Sequence, residues 1–295
     1  MTIVGPMFSE IGQKVRDALS FTLRTNSGRV GLPLVLVFVF LTVTGPWLGD
    51  WLPHSPTYMP SPMADYQFLP PSSEFWLGTD QFGRDVFSRV LTGATSLVVT
   101  ASVGAGLGIA LGTVVGIGSG YKGGWVDEVV MRIMDILMSF PTLLLALLVL
   151  FTLGPSRINI ALTIGFVSMP TIGRVVRSTT LSLKTLEFVE SARLRRESTV
   201  HIMFREILPN VMPVIGVEAS VRLSYAILSV ASLGYLGLGI QPPSPDWGLA
   251  ISTGRQFLIS APWIVLGPMV AVSLLVLSLN LLADGIRESA RQAQE

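Results

Sequence analysis

Six stretches of roughly twenty mostly apolar residues recur along the chain, at about 30–48, 93–120, 132–153, 158–176, 211–238 and 263–283. Each is long enough to carry an α-helix across the hydrocarbon layer of a bilayer. No water in that layer can satisfy a backbone N–H or C=O, so a spanning segment of this kind has to close its hydrogen bonds within one helix. The reading is an all-α integral membrane protein with six transmembrane helices. Composition agrees: 50% of the 295 residues are hydrophobic and 13% charged, against about 25% charged in soluble domains.

The inventory excludes several chemistries. The absence of cysteine removes disulfides, thiolate metal sites, a thiol nucleophile and a lipid-modified N-terminal Cys. The two histidines, His54 and His201, stand too far apart in sequence to suggest a metal site. A net charge of +1 offers no surplus for a nucleic-acid backbone. The first 30 residues are too polar for a cleavable signal peptide and are expected to stay.

Charge also orients the spans. Of twenty Lys and Arg, fifteen fall in the N-terminal tail, the loop near 121–132, the segment 174–205 and the C-terminal tail. Arg84, Arg89, Arg157 and Arg255 lie in the other loops, and Arg222 lies inside a span. The positive-inside rule makes the first group cytoplasmic, with both termini on that side. The long loop 49–92 is then outside, and its acids Asp50, Asp65, Glu74, Asp80 and Asp85 suit that side. Its prolines, Pro53, Pro56, Pro60, Pro62, Pro70 and Pro71, should prevent regular structure, while Trp47, Trp51 and Trp76 fit the lipid interface. Such a loop either docks an external protein or tethers two spans.

Between spans four and five the chain reads EFVESARLRRESTVHIMFREILPN, residues 187–210. Phe188, Ala192, Val200, Met203, Phe204 and Ile207 recur at helical spacing among the charges, which predicts two short amphipathic helices. Pro209 should end the second and start the next. A lipid-surface anchor favours Lys and Arg alone. Four Glu beside the Arg point to a protein partner matched in register, although a solvated loop obeying the topology rule would also be charged.

Within the second apolar stretch Gly104, Gly108, Gly112, Gly116 and Gly120 recur every fourth residue. They form a ridge without side chains along which another helix can pack closely in lipid. GAGLG and GSGYKGG are not phosphate loops, since neither follows a strand nor shows the Gly-Lys-Ser/Thr order. The chain therefore carries no ATP-hydrolysing loop of its own. In span five Glu218 precedes Arg222 by one helical turn. That pair is either mutually satisfied, part of a solute pathway, or a lock on one conformation.

The 187–210 segment resembles the cytoplasmic EAA loop of binding-protein-dependent ATP-binding cassette importers, reading Glu190, Ser191, Ala192, then Arg196 at the family's Gly position, then Leu208 and Pro209. Arg196 implies either continuous helix there or a reshaped loop. FWLGTDQFGRDVFSRVLTGATSLVV at 75–99 is similar to the approach to span two in dipeptide and oligopeptide permeases. SLGYLGLGIQPPSPDWGLAISTGRQFLISAPW at 232–263 and NLLADGIRES at 280–289 resemble the C-terminal half of the second, C-type permease subunit. Val230 stands where many relatives have an acid.

The resemblance covers nearly the whole chain and implies a type I importer permease fold. Its parts would be a cytoplasmic tail (1–29), the first span with the extracytoplasmic loop (30–92), a five-span core (93–287) carrying the coupling loop 187–209, and a second cytoplasmic tail (288–295). It further implies a heterodimer with a homologous permease, two ATPase domains that use ATP and Mg, an extracytoplasmic solute-binding protein, a peptide cargo and a prokaryotic cell membrane. No cofactor would be bound by this chain. The ATPase contact would comprise Glu190, Ala192, Arg193, Leu194, Arg196, Leu208 and Pro209. A nickel complex or other small solute is the alternative cargo. An ion-coupled transporter would need acids deep in its spans, where only Glu218 qualifies. A purely structural or sensory subunit is the third class, and no kinase-like or DNA-reading domain supports it.

Overall fold

The computed structural model describes residues 25–52, 63–242 and 244–292. The described elements are helical: α1 Asn26–Trp51, α2 Val86–Lys122, α3 Gly124–Ser139, α4 Thr142–Leu153, α5 Arg157–Leu183, α6 Glu187–Leu194, α7 Thr199–Tyr235, α8 Trp247–Gly254 and α9 Trp263–Gln292, with short 3-10 turns at Met63–Tyr66 and Arg255–Phe257. Their starts are written in sequence. Thr25, Asp85, Ser156 and Asp246 each lend a side-chain oxygen to a backbone N–H of the first turn of α1, α2, α5 and α8, satisfying donors that have no intrahelical partner.

Among the described residues five helices are long and apolar enough to cross a membrane, and α3 with α4 makes a sixth span if the bent pair is counted as one. That span departs from the expectation of one continuous helix over 132–153, because α3 and α4 meet at 91°. Pro141 is the cause. Its ring disfavours helical geometry at the preceding residue, and Phe140 is extended, at φ −84° and ψ 137°.

Pro209 does not end its helix as expected. Leu208 is helical (φ −52°, ψ −46°) and α7 runs through it. Residues Ile202–Ile207 are wound as a π turn, with the Leu208 N–H reaching Met203 O. This wider turn shifts the hydrogen-bond register just before the residue that lacks a donor.

α2 and α5 form the tightest seam. Gly104, Gly108, Gly112, Gly116 and Gly120 face Ile164, Ser168, Ile172, Val176 and Thr180, so both partners step by four residues. A Cβ added at Gly112 would lie 2.8 Å from Ile172 Cβ, and one at Gly116 would lie 2.5 Å from Gly173 O. Backbones approach here because side chains are absent. The central core gathers Phe38, Leu97, Leu150, Ile160, Ile227, Leu233, Trp247 and Leu275 from six helices and α4; Val230 is wholly buried in it.

The connection before α2 is more ordered than its prolines suggest. Thr79 N–H donates to Leu69 O at 3.0 Å, and Asp80 accepts from the Phe82 and Arg84 amides at 2.8 and 3.0 Å. Trp263 Nε1 fastens this segment to α9 by donating to Thr79 O at 3.0 Å. Backbone pairing replaces the regular structure that proline forbids. The earlier prolines, His54, the tail through residue 24 and residues 293–295 lie outside the described residues.

Candidate functional site

One end of the bundle carries the 187–210 segment on an apolar platform. Val189 and Ala192 of α6 are fully buried, packed with Ile117, Ile172, Ile202 and Ile207. The chain then turns through Arg196 at φ +58°. Arg196 N–H donates to Arg193 O at 2.9 Å and Glu197 N–H to Ala192 O at 3.1 Å, the paired closure that ends helices on a left-handed residue. The turn that glycine would make is thus kept with arginine in place. It is neither continuous helix nor a reshaped loop, and the Cβ costs about 1 kcal/mol there. Ser198 then caps the next helix, accepting from the His201 amide at 3.2 Å.

Glu190, Arg193, Leu194, Arg196 and Pro209 are exposed on this end, and Leu208 is half-buried. Ala192 is not available to a partner, because it is the foot on which α6 stands. The predicted apolar stripe also shifts: Val200 and Phe204 are exposed, while Val189 and Ile202 are buried instead. Arg193 lies over the Tyr121 ring, 5.2 Å from its centre, within cation–π range.

Basic residues counted above only as topology markers hold this end together. Lys184 Nζ donates to Gly120 O at 2.8 Å. Arg177 grips Asp127 with two hydrogen bonds, and Arg174 pairs with Asp135. These contacts tie α5 to α2 and α3. Their partners are 39 to 64 residues apart, so no local spacing could have revealed them.

Inside the bundle Arg222 Nε and Nη2 both approach Glu218 Oε2 at 3.0 Å. Each side chain is about one-fifth exposed. The two side chains pair with each other, and Arg222 also lines a cavity of about 330 Å³ together with Thr142, Ser168, Thr171, Tyr225 and Ser229, among others. The cavity lies at the break between α3 and α4, midway along α5.

At the opposite end a larger cavity of about 540 Å³ is lined by Arg84, Arg89, Gln241, Asp246 and Trp247, among others. Trp247 Nε1 donates to Val90 O at 3.0 Å. Arg157 Nη2 donates to Ser96 Oγ and Ser244 Oγ at 3.0 and 2.8 Å, fastening the 236–246 connection to α2. Asp246 Oδ1 accepts the Leu249 amide at 2.7 Å. Burial pushes the Asp246 carboxyl up to about 6, against the opposing pull of that cap and of Arg89 and Arg157. Sequence reading passed over this residue, although Asp before an apolar Trp-Gly-Leu run is an N-cap signal.

Comparison with known proteins adds the lineage. Residues 108–292 match the family described as the binding-protein-dependent transport system inner membrane component. The dipeptide transport system permease protein of Alkalihalophilus pseudofirmus is 37% identical over 274 residues, spanning 93% of this chain and 88% of that one. The glutathione transport system permease protein of Pectobacterium atrosepticum is 38% identical over 255 residues, 86% of this chain and 84% of the relative. A di/tripeptide transport system permease protein of Pseudomonas aeruginosa is 34% identical over 271 residues, 90% and 88% of the two chains. Among solved structures the fold is similar to the MetNI methionine ABC transporter in an inward-facing conformation, with a TM-score of 0.55, 18% identity, and coverage of 68% of this chain and 96% of that one.

Proposed function

We propose that this chain, which belongs to the family of binding-protein-dependent transport system inner membrane components, is the permease subunit through which short peptides cross a prokaryotic cell membrane. The observation that carries the reading is the likeness over most of the chain to permeases named for dipeptides, di/tripeptides and glutathione. The same names do not favour a nickel complex or other non-peptide cargo. Glu218, an intramembrane acid that an ion-coupled transporter could have used, is engaged by Arg222.

The chain pairs with a homologous permease, and each half offers one coupling loop to one ATPase domain. ATP and Mg belong to those ATPases. The end bearing residues 184–209 faces the cytoplasm, as do both termini, and the 65–85 and 236–263 segments face a solute-binding protein outside. Glu190, Arg193, Leu194 and Arg196 meet the ATPase, while Val189 and Ala192 transmit its movement into the bundle through their buried platform. ATP then acts as a population shift: it moves the pathway only as far as its affinities for the two conformations differ.

The test is ATP hydrolysis by the complete complex in lipid, with and without peptide-loaded binding protein. Stimulation by the loaded protein is expected. Intact basal hydrolysis that no peptide stimulates would overturn the peptide reading. In the same assay Glu190→Lys should keep ATP hydrolysis but lose uptake, and retained coupling would remove Glu190 from the contact.

A further inference from the structure

The cavity midway along α5 holds polar chemistry that helix packing does not explain. Several other hydroxyls in the spans return to a carbonyl four residues back in their own helix. Thr100 reaches Ser96 O at 2.7 Å, Thr180 reaches Val176 O at 2.8 Å and Thr42 reaches Phe38 O at 2.7 Å. This is how a hydroxyl is satisfied in an apolar layer. Ser168, Thr171 and Ser229 make no such bond among the described residues, and all three line the cavity.

Their neighbours are matched to an anion. Arg222, Tyr225, Ser229 and Ser232 step along α7 at i, i+3, i+7 and i+10 and all line the same cavity, so they form one face of that helix. Among the described residues only Glu218 Oε2 accepts from the Arg222 guanidinium, which has five N–H donors in a planar fork. Thr142 and Leu143, from the first turn of α4, complete the wall. Pro141 gives that turn no side-chain cap, so the partial positive charge of the helix start adds to the guanidinium. A volume of about 330 Å³ lies within the usual range for small-molecule sites.

We propose that this cavity is a transient binding site within the membrane for the carboxylate end of a transported peptide. The carboxylate pairs with Arg222, and the hydroxyls of Ser168, Thr171 and Ser229 replace its water. Glu218 keeps Arg222 in place and competes for it, which keeps the site weak enough to release its occupant. This inference rests on the reading of the chain as a peptide permease.

The test uses the whole complex, with partner permease, ATPases and binding protein, in proteoliposomes. ATP-driven uptake of a labelled dipeptide is compared with that of its C-terminal amide. The binding protein's own preference cancels when wild type and variant are compared on the same pair. Arg222→Gln should lower uptake of the free acid about tenfold, the loss of one charge-assisted contact, and change the amide less than twofold. Arg222→Lys should recover part of the loss. Equal loss on both substrates, or no loss, overturns the proposal.

A second measurement decides the matter if the wild type refuses the amide. The chain has no cysteine, so Ser229→Cys introduces its single thiol, and labelling by a charged thiol reagent reports on the cavity. The dipeptide should slow labelling, and should stop doing so when Arg222→Gln is added. Labelling indifferent to the dipeptide overturns the site. A wild-type complex that hydrolyses ATP but takes up no peptide overturns the permease reading beneath it, which the variants alone could not do.

Discussion

The guanidinium of Arg177 holds both carboxylate oxygens of Asp127, Nε to Oδ1 and Nη2 to Oδ2, each at 2.5 Å. The two residues are 50 positions apart, and their pairing fixes α5 against the start of α3. Both side chains are largely shielded, at 29% and 13% exposure. Arg177→Gln leaves a shielded carboxylate without its partner and should cost about 1–3 kcal/mol. Lysine cannot reproduce the fork. Thermal unfolding of the complex in detergent checks this, and the double variant Asp127→Asn with Arg177→Gln should recover part of the loss.

Arg196 predicts the opposite sign. Its left-handed φ of +58° is one that glycine adopts without penalty. Arg196→Gly should therefore raise the stability of the loop by about 1 kcal/mol, while Arg196→Val should lower it. If ATPase contact depends on the shape of the turn, Arg196→Gly keeps transport coupled. If it depends on the guanidinium, coupling falls although the loop is more stable. Hydrogen exchange at residues 190–198 together with the ratio of ATP hydrolysed to peptide imported separates the two.

The glycine seam carries its own control. Gly112 has Ile172 and the Met169 carbonyl within 3 Å of an added Cβ, whereas Gly106, on the same helix, has nothing within 4 Å. Gly112→Leu should lower the yield of assembled complex severalfold, and Gly106→Leu should leave it near wild type unless that open face receives a partner. Equal yields for both, measured by size-exclusion chromatography, would show that the seam tolerates side chains.

Asp246 gives a pH dependence. Its carboxyl titrates near 6 in the folded chain, above its ordinary value of 3.8, because burial disfavours its charge. The folded state thus binds more protons than the unfolded one between about pH 4 and 6, so stability falls as pH rises through that window. The span of the effect is on the order of 2–3 kcal/mol. Asp246→Asn retains an oxygen for the Leu249 amide and carries no charge to bury, so its melting temperature should be flatter across that window. An unchanged slope would assign the titration to another group.

The six spans were legible because length and apolarity along one segment are local properties, and lipid rewards them whatever the neighbouring helices do. The fourfold glycine spacing was legible for the same reason: it marks a face of one helix before its partner is known. The family pattern marked residue 196 as a turn position, and the chain does turn there with arginine in place of glycine.

Which side chains meet was not legible, because that depends on how each helix is rotated about its axis once α2 and α5 close on their seam. Only then does Arg177 reach Asp127, do Ser168 and Ser229 line one cavity, and does Ala192 become a buried foot rather than a contact. The sequence by itself determined an all-helical six-span chain, because an apolar layer leaves the backbone no other way to satisfy its hydrogen bonds. Tertiary structure alone decided where its few charges act, since a charge in that layer is tolerable only beside a partner that packing brings to it.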